Sequence, residues 1–236
     1  MNKILMLMLM VCSTVGVQAQ ERAATFSVVP RVGVTVATLT NSDLMLTDNG
    51  GKIKAKNTPG FVVGVDGVCH LSDRFAFSLG AAYATLGCKY GNYDVLVEEA
   101  NDEKLASYEG ITNHEITLGY LQVPVMAQYS LAPGFTVKAG VQVGYLCNAK
   151  EAYDTRKFQQ HIETGARTYD TTATPYENTS TDGYKKMDIA IPLGVSYEYM
   201  NVVLDARYHW GLTKVQSPID AQNRYFSFSV AYRFGL

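Results

Sequence analysis

The feature that most constrains this chain is a period-two alternation of side-chain character, repeated in segment after segment. In the last of these, Phe226, Phe228, Val230, Tyr232, Phe234 and Leu236 fall on one parity, and Ser227, Ser229, Ala231, Arg233 and Gly235 on the other. Successive side chains of a strand point to opposite faces, so this pattern predicts strands with two unlike faces. The preceding segment sets Val202, Leu204, Ala206, Tyr208, Trp210 and Leu212 against Asp205, Arg207, His209 and Gly211. Before it, Met187, Ile189, Ile191, Leu193, Val195 and Tyr197 oppose Asp188, Ala190, Pro192, Gly194, Ser196 and Glu198. Further segments begin near Val28, Phe61, Phe75, Glu115 and Phe135, which makes about eight strands, the size of the smallest membrane barrels.

The connections alternate in length. Short turns fall at Ser72-Asp73, Ala132-Pro133-Gly134 and Met200-Asn201. Long polar loops are expected over Leu39–Pro59, Tyr90–Asn113, Glu151–Gly183 and Val215–Asn223.

Alternation also occurs in soluble barrels, so the content of the two faces decides. A face turned to bulk water carries abundant Lys and Glu. Here the polar face is mostly Gly, Ala, Ser, Thr and Gln, with charges of both signs: Arg31, Lys138, Arg207 and Arg233 against Asp66, Asp188, Glu198 and Asp205. Small residues and balanced charges suit a narrow enclosed lumen, where a charge that loses its partner costs several kcal/mol. The apolar face has almost no mid-strand charge, and a Lys or Arg there would cost about 2–4 kcal/mol at a bilayer midplane. Tyr129, Tyr145, Tyr197, Tyr199, Trp210 and Phe234 sit near strand ends, as interfacial girdles do. The expectation is an all-β fold: an eight-stranded antiparallel up-and-down transmembrane β-barrel with long extracellular loops, short periplasmic turns, and a lumen closed by those eight charged residues. An even strand count places both ends of the mature chain on the periplasmic side.

The N-terminus sets the compartment. Lys3, the apolar run Ile4–Val11 and the small-residue site Val17-Gln18-Ala19 form a secretory signal. The run is too short for a membrane helix, which needs ~20 residues. Cleavage after Ala19 fits better than a lipoprotein site at Cys12, where Val11 replaces the expected small residue. The expected organisation is a cleaved signal over 1–19 and a barrel domain over 20–236. Cys69, Cys88 and Cys147 remain, and Cys69 and Cys88 fall at opposite ends of one hairpin, too far apart to bridge. The net charge of −2 gives no reason to expect nucleic acid.

Several segments carry a family resemblance. Gly119-Tyr120-Leu121-Gln122-Val123-Pro124-Val125 resembles the "Y-L-x-[IV]-P" strand of the PorT-like, porin-family outer-membrane β-barrels. Gly134–Gly140 and Gly144-Tyr145-Leu146 are similar to the next strand of that family. Lys186-Met187-Asp188 leading to Leu193-Gly194-Val195, Ala206–Thr213, and Ala231-Tyr232-Arg233-Phe234 resemble its later strands. The resemblance covers nearly the whole mature chain and is strongest after Glu115. It departs at the end, where Gly235-Leu236 follow the aromatic that closes the family's last strand. The resemblance implies an outer-membrane barrel folded by the barrel-assembly machinery, in contact with outer-membrane lipid and lipopolysaccharide. It does not imply a channel, although a narrow porin-like pore is one alternative. A component of a protein secretion or gliding apparatus is another.

The chemistry-bearing residues are few. Asp205, Arg207 and His209 share one face of one strand, but the pattern places no Ser or Cys nucleophile beside them, so the reading is lumen lining. His209 and His70 point inward, away from the lipid that a lipid-modifying barrel enzyme would have to reach. Glu98, Glu99, Asp102 and Glu103 form an acidic loop run without the ligand spacing of a calcium loop. The Tyr-, Thr- and Asp-rich stretch 151–183, with 90–113, offers amphipathic aromatic surface for a protein or glycan partner. No phosphate loop, zinc spacing or catalytic triad motif appears, so neither cofactor, metal nor catalytic residue is expected. The function expected is structural, adhesive or partner-anchoring. A lipid-modifying enzyme and a soluble exported ligand-binding barrel are the less supported alternatives.

Overall fold

The alternating segments form strands that hydrogen-bond into a ring. The structure is a computed structural model and describes residues 25–45, 51–99, 104–170, 172–216 and 220–235; the expected signal over 1–19 lies outside them. The ring strands are β1 (Thr25–Thr40), β2 (Thr58–His70), β3 (Phe75–Lys89), β4 (Leu105–Ala132), β5 (Phe135–His161), β6 (Met187–Tyr199), β7 (Val202–Gly211) and β8 (Gln222–Tyr232). Each pairs antiparallel with the next, and β8 pairs back onto β1, with Val32 opposite Val230. Phe234–Gly235 extend that seam against Val28 and Ser27. The eight-stranded up-and-down barrel read from the sequence is the observed fold.

The two faces separate by parity as expected. Val32, Phe77, Val141 and Val230 are all more than half exposed on the outside, while Thr35, Gln142 and Arg207 are buried inside. A continuous apolar outer band of this size would drive aggregation in water, but it costs nothing in hydrocarbon. Closure leaves the ring no free edge, so each strand finds backbone partners on both sides. One rim is lined by Phe75 tilted against Tyr129 (4.8 Å) and Tyr232 against Phe234 (4.8 Å), with Phe135, Tyr197 and Tyr199 exposed around it. That rim carries the short turns. Met200 and Asn201 both take positive φ (47° and 65°), the conformation of the two-residue hairpin turn that matches strand twist. Ser72 Oγ accepts from the Phe75 amide at 3.0 Å in the β2–β3 turn.

The opposite end corrects the loop assignment. Much of the expected loops 90–113 and 151–183 is strand. β4 and β5 run on as partners to Leu105 opposite His161, well past Lys89, where β3 stops opposite Glu115. Tyr93–Glu98 pairs with β4, and Thr174–Thr179 and Arg167–Tyr169 pair with β5. The result is an extracellular sheet standing roughly 30 Å above the ring, at about 3.3 Å per residue. Strand character was hidden there because both faces of this sheet leave the bilayer. The apolar/polar alternation that reports a membrane strand lapses, although the Tyr- and Thr-rich composition still favours strands.

Close approach of backbones fixes the seam. A Cβ on Gly33 would lie 2.0 Å from the Phe228 carbonyl oxygen and 2.6 Å from Ser229 Cα. Gly33→Val is therefore expected to destabilise the barrel by about 1–3 kcal/mol, the usual cost of overpacking. The check is the temperature at which the fast-migrating folded band disappears on a denaturing gel. An unchanged temperature would mean that the β1–β8 seam has slack.

Candidate functional site

The interior is filled, in two layers. In the lower half, five of the eight sequence-selected charges meet. Lys138 Nζ lies 2.5 Å from Asp205 Oδ2, and Arg207 Nε donates to Asp205 Oδ1 at 2.6 Å. Arg207 Nη2 donates to Asp66 Oδ2 at 2.7 Å, and Arg31 Nε lies 3.3 Å from the same oxygen. All five side chains are buried. Asp66 and Asp205 thus each bridge two cations, and Arg207 links them into one chain across the lumen. The cavity beneath, bordered by Gln128 and Val203, measures about 10 Å³, close to the least that holds one water.

The other three charges are elsewhere. Arg233 pairs with Glu198 at 2.9 Å nearer the turn end, and also reaches Ser27 at 2.9 Å and His70 at 3.0 Å. Asp188 stands apart in the upper half, where it accepts from the Thr213 hydroxyl at 3.1 Å and makes no ion pair among the described residues. The upper layer is largely apolar, which the sequence reading did not anticipate. Leu39, Leu86, Leu118, Tyr120, Leu146 and Tyr225 fill it. The parity of Leu118 and Tyr120 with Gln122 was the available signal. Between the layers, the Tyr225 hydroxyl accepts from Gln122 and Gln142, both at 2.9 Å.

One expectation about chemistry needs correction. A serine does lie beside His209: Ser227 Oγ is 3.1 Å from His209 Nε2. Ser227 sits across the β7–β8 pair opposite Arg207, a neighbour that only the register reveals. The pair lacks the rest of a nucleophilic site. His209 Nδ1 has no hydrogen-bond partner among the described residues, the ring stacks on Tyr225 at 4.0 Å, and both residues are buried. Without an acid on Nδ1, nothing orients the imidazole as a base.

Above the rim, polar residues root the extracellular sheet. Tyr93 OH is 3.0 Å from His114 Nδ1, and His114 Nε2 is 2.8 Å from Glu151 Oε1. Burial pushes the Tyr93 hydroxyl up to about 12, so it stays protonated in its bond to Nδ1. Nε2–H then donates to Glu151, and the imidazole bonds three strands together. Tyr90 and Tyr153 pack on the same ring at 4.9 and 5.4 Å. Further out, Phe158 is buried between Tyr108 (5.3 Å, stacked) and Tyr169 (5.0 Å), with Arg167 over its face at 4.8 Å. Arg167 also pairs with Asp94 at 3.0 Å, from the far side of the sheet. Tyr176 stacks on Tyr153 at 4.5 Å and stays exposed. In the acidic run, Glu98 and Glu99 are exposed, and Asp102 and Glu103 lie outside the described residues. Cys69, Cys88 and Cys147 form no disulfide among the described residues.

An apolar outer band around a filled, charged interior defines a transmembrane β-barrel. Residues 18–217 match the family described as outer membrane protein beta-barrel domain, and the chain belongs to that family. It is an outer-membrane β-barrel protein. Similar solved structures include Ail, the attachment invasion locus protein of Yersinia pestis, crystallised with the heparin analogue sucrose octasulfate: 15% identity, 90% of this chain and 100% of that chain covered, TM-score 0.40. Neisserial surface protein A is similar at 16% identity, with 90% and 100% covered and a TM-score of 0.42. An outer membrane channel from Pseudomonas putida F1 is similar at 9% identity, with 92% and 97% covered and a TM-score of 0.27. No curated protein sequence matches the chain.

Two outcomes follow from this geometry. Asp205→Ala strands Lys138 and half of Arg207, and should cost about 3–5 kcal/mol, whereas Lys138→Met with Asp205→Leu should cost clearly less. Urea unfolding of the detergent-folded barrel gives the comparison. His114→Ala should speed tryptic cleavage within the extracellular sheet and leave the thermal transition of the ring in place. A shift of both together would show that the sheet is not a separate unit of stability.

Proposed function

We propose that the protein is a closed outer-membrane anchor that presents its extracellular sheet to a partner, in an adhesive or anchoring role. The observation that carries this reading is the continuity of β4 and β5, 28 and 27 residues long, against the ~9–11 residues that a spanning strand needs. The surplus length is built into ordered sheet above the membrane. The plug of Arg31, Asp66, Lys138, Asp205 and Arg207, together with the apolar layer over it, supports a lumen that does not conduct.

The remaining parts of the reading come from the sequence. Residues 1–19 are removed on export, the barrel is inserted by the barrel-assembly machinery, and its outer band contacts phospholipid and lipopolysaccharide. The PorT-like resemblance admits a place in a secretion or gliding apparatus, which would use the same sheet for docking. No catalytic role is proposed, because the buried Ser227–His209 pair has neither an acid partner nor access.

Planar bilayers test the anchor against the channel. The folded protein is expected to give no steady conductance, and a reproducible open level in the unsubstituted protein would overturn the closed lumen. Replacing residues 92–112 and 155–172 by short turns tests the platform. The barrel should still insert and migrate as a folded band, while attachment of expressing cells to surfaces or to one another is lost. The mature N-terminus, read by mass spectrometry, is expected at Gln20.

A further inference from the structure

Among the described residues the extracellular sheet is bordered by Tyr93–Glu98 on one side and by Arg167–Tyr169 and Thr174–Thr179 on the other. Outer strands expose unpaired backbone groups, and proteins blunt them with proline, charge or bulges. Thr174–Thr179 is blunted. Pro175 lacks an N–H, and Glu177 is tied to Lys150 at 2.8 Å. Tyr93–Glu98 is not. Its sequence, Tyr-Asp-Val-Leu-Val-Glu, has no proline and no lysine, and is rich in residues that favour strands. Val97 is more than half exposed, at the register shift between Leu96 and Glu98. No described residue pairs with its free side.

The unpaired charge on this edge, among the described residues, is acidic. Glu98 and Glu99 are exposed and in no ion pair among the described residues, and the sequence continues through Asp102 and Glu103. Asp94, on the same strand, is already neutralised by Arg167. A second copy in the same membrane is a poor occupant. The strand rises from Tyr93 at the rim to Glu98 near the tip, so two upright copies meeting edge to edge would pair parallel. That would set Glu98 and Glu99 beside their equivalents, and like charges directly opposite destabilise a strand pair.

We infer that Tyr93–Glu98 is a strand-addition site for an extended, basic segment of a partner protein, which pairs with the free edge and places Lys or Arg against Glu98 and Glu99. Backbone hydrogen bonds supply the affinity, and the acidic end supplies selectivity and register. This rests on the reading of the sheet as a partner platform, and it names the contact that the platform makes.

The test uses the full chain folded in detergent and a fluorescein-labelled octapeptide of alternating Lys and Val, followed by fluorescence anisotropy. Binding is expected for this peptide. Val97→Pro, tolerated at a bulge on an outer strand, should weaken it about tenfold or more. So should N-methylation of alternate peptide residues, and Glu98→Lys with Glu99→Lys. A Glu-Val peptide should not bind. No binding of the Lys-Val peptide, or equal binding of the N-methylated form, would overturn strand addition. Efficient Val97→Cys cross-linking between copies in native membranes would overturn the basic partner in favour of a second copy. Attachment lost on trimming the sheet but unaffected by Val97→Pro would remove this site and leave the platform standing; attachment unaffected by either would remove the platform itself.

Discussion

Everything in this structure depends on one requirement: a backbone crossing hydrocarbon must hydrogen-bond to itself. An open sheet fails because its outer strands leave donors and acceptors facing lipid, at several kcal/mol for each group. The ring solves this by bringing β8 back to β1, and the closing contact tolerates little bulk, which is why Gly33 sits against the Phe228 carbonyl. Once closure is imposed, inside and outside follow. Alternate residues must suit lipid, the others must fill a lumen too narrow for bulk water, and the period-two pattern is the record of both demands.

The lumen then poses an electrostatic problem that the protein solves by sharing. Three cations and two carboxylates meet in the lower half, so one-to-one pairing is impossible. Each carboxylate serves two cations, and the forked guanidinium of Arg207 touches both, which a lysine could not do with the same geometry. Desolvating five charges is costly, and the cluster is not needed as a source of net stability. Its consequence is specificity: each strand that contributes a charge is locked in register with the strands across the lumen. In the observed register β1, β2, β5 and β7 bring the whole set together.

This explains what was legible in the sequence and what was not. Face assignment was legible because it depends on residues two apart on the same strand, and Arg31, Asp66, Lys138, Asp205 and Arg207 all point inward as their parity required. Grouping was not, because it depends on register across strands. The eight charges read as one set divide into a central five, the Arg233–Glu198 pair and a separate Asp188. Ser227 beside His209 was missed for the same reason. The extracellular sheet was missed for another. Where both faces of a strand leave the bilayer there is no contrast between them, so Tyr93–Glu98 and the outer half of β4 and β5 read as polar loop.

The root of that sheet determines what it can do. β4 and β5 pass from the membrane to the outer sheet without a connecting loop, and their pairing is interrupted by local register shifts near Thr112, Gly119 and, at the turn end, Ser130. At the upper shift, just above the rim, His114 bonds Tyr93 and Glu151 and so ties the outer strand to both central ones. Farther out, Asp94 and Arg167 clasp the sheet from its two sides. A partner pulling on Tyr93–Glu98 would load the ladder of backbone bonds running down β4 in shear, spread over many bonds at once. A flexible loop would instead deliver the load one bond at a time. The same continuity limits the sheet as a gate, because β4 cannot swing over the lumen without breaking its ladder to β3 or β5. A stiff mast on a plugged base suits holding a partner at a fixed height better than admitting a solute.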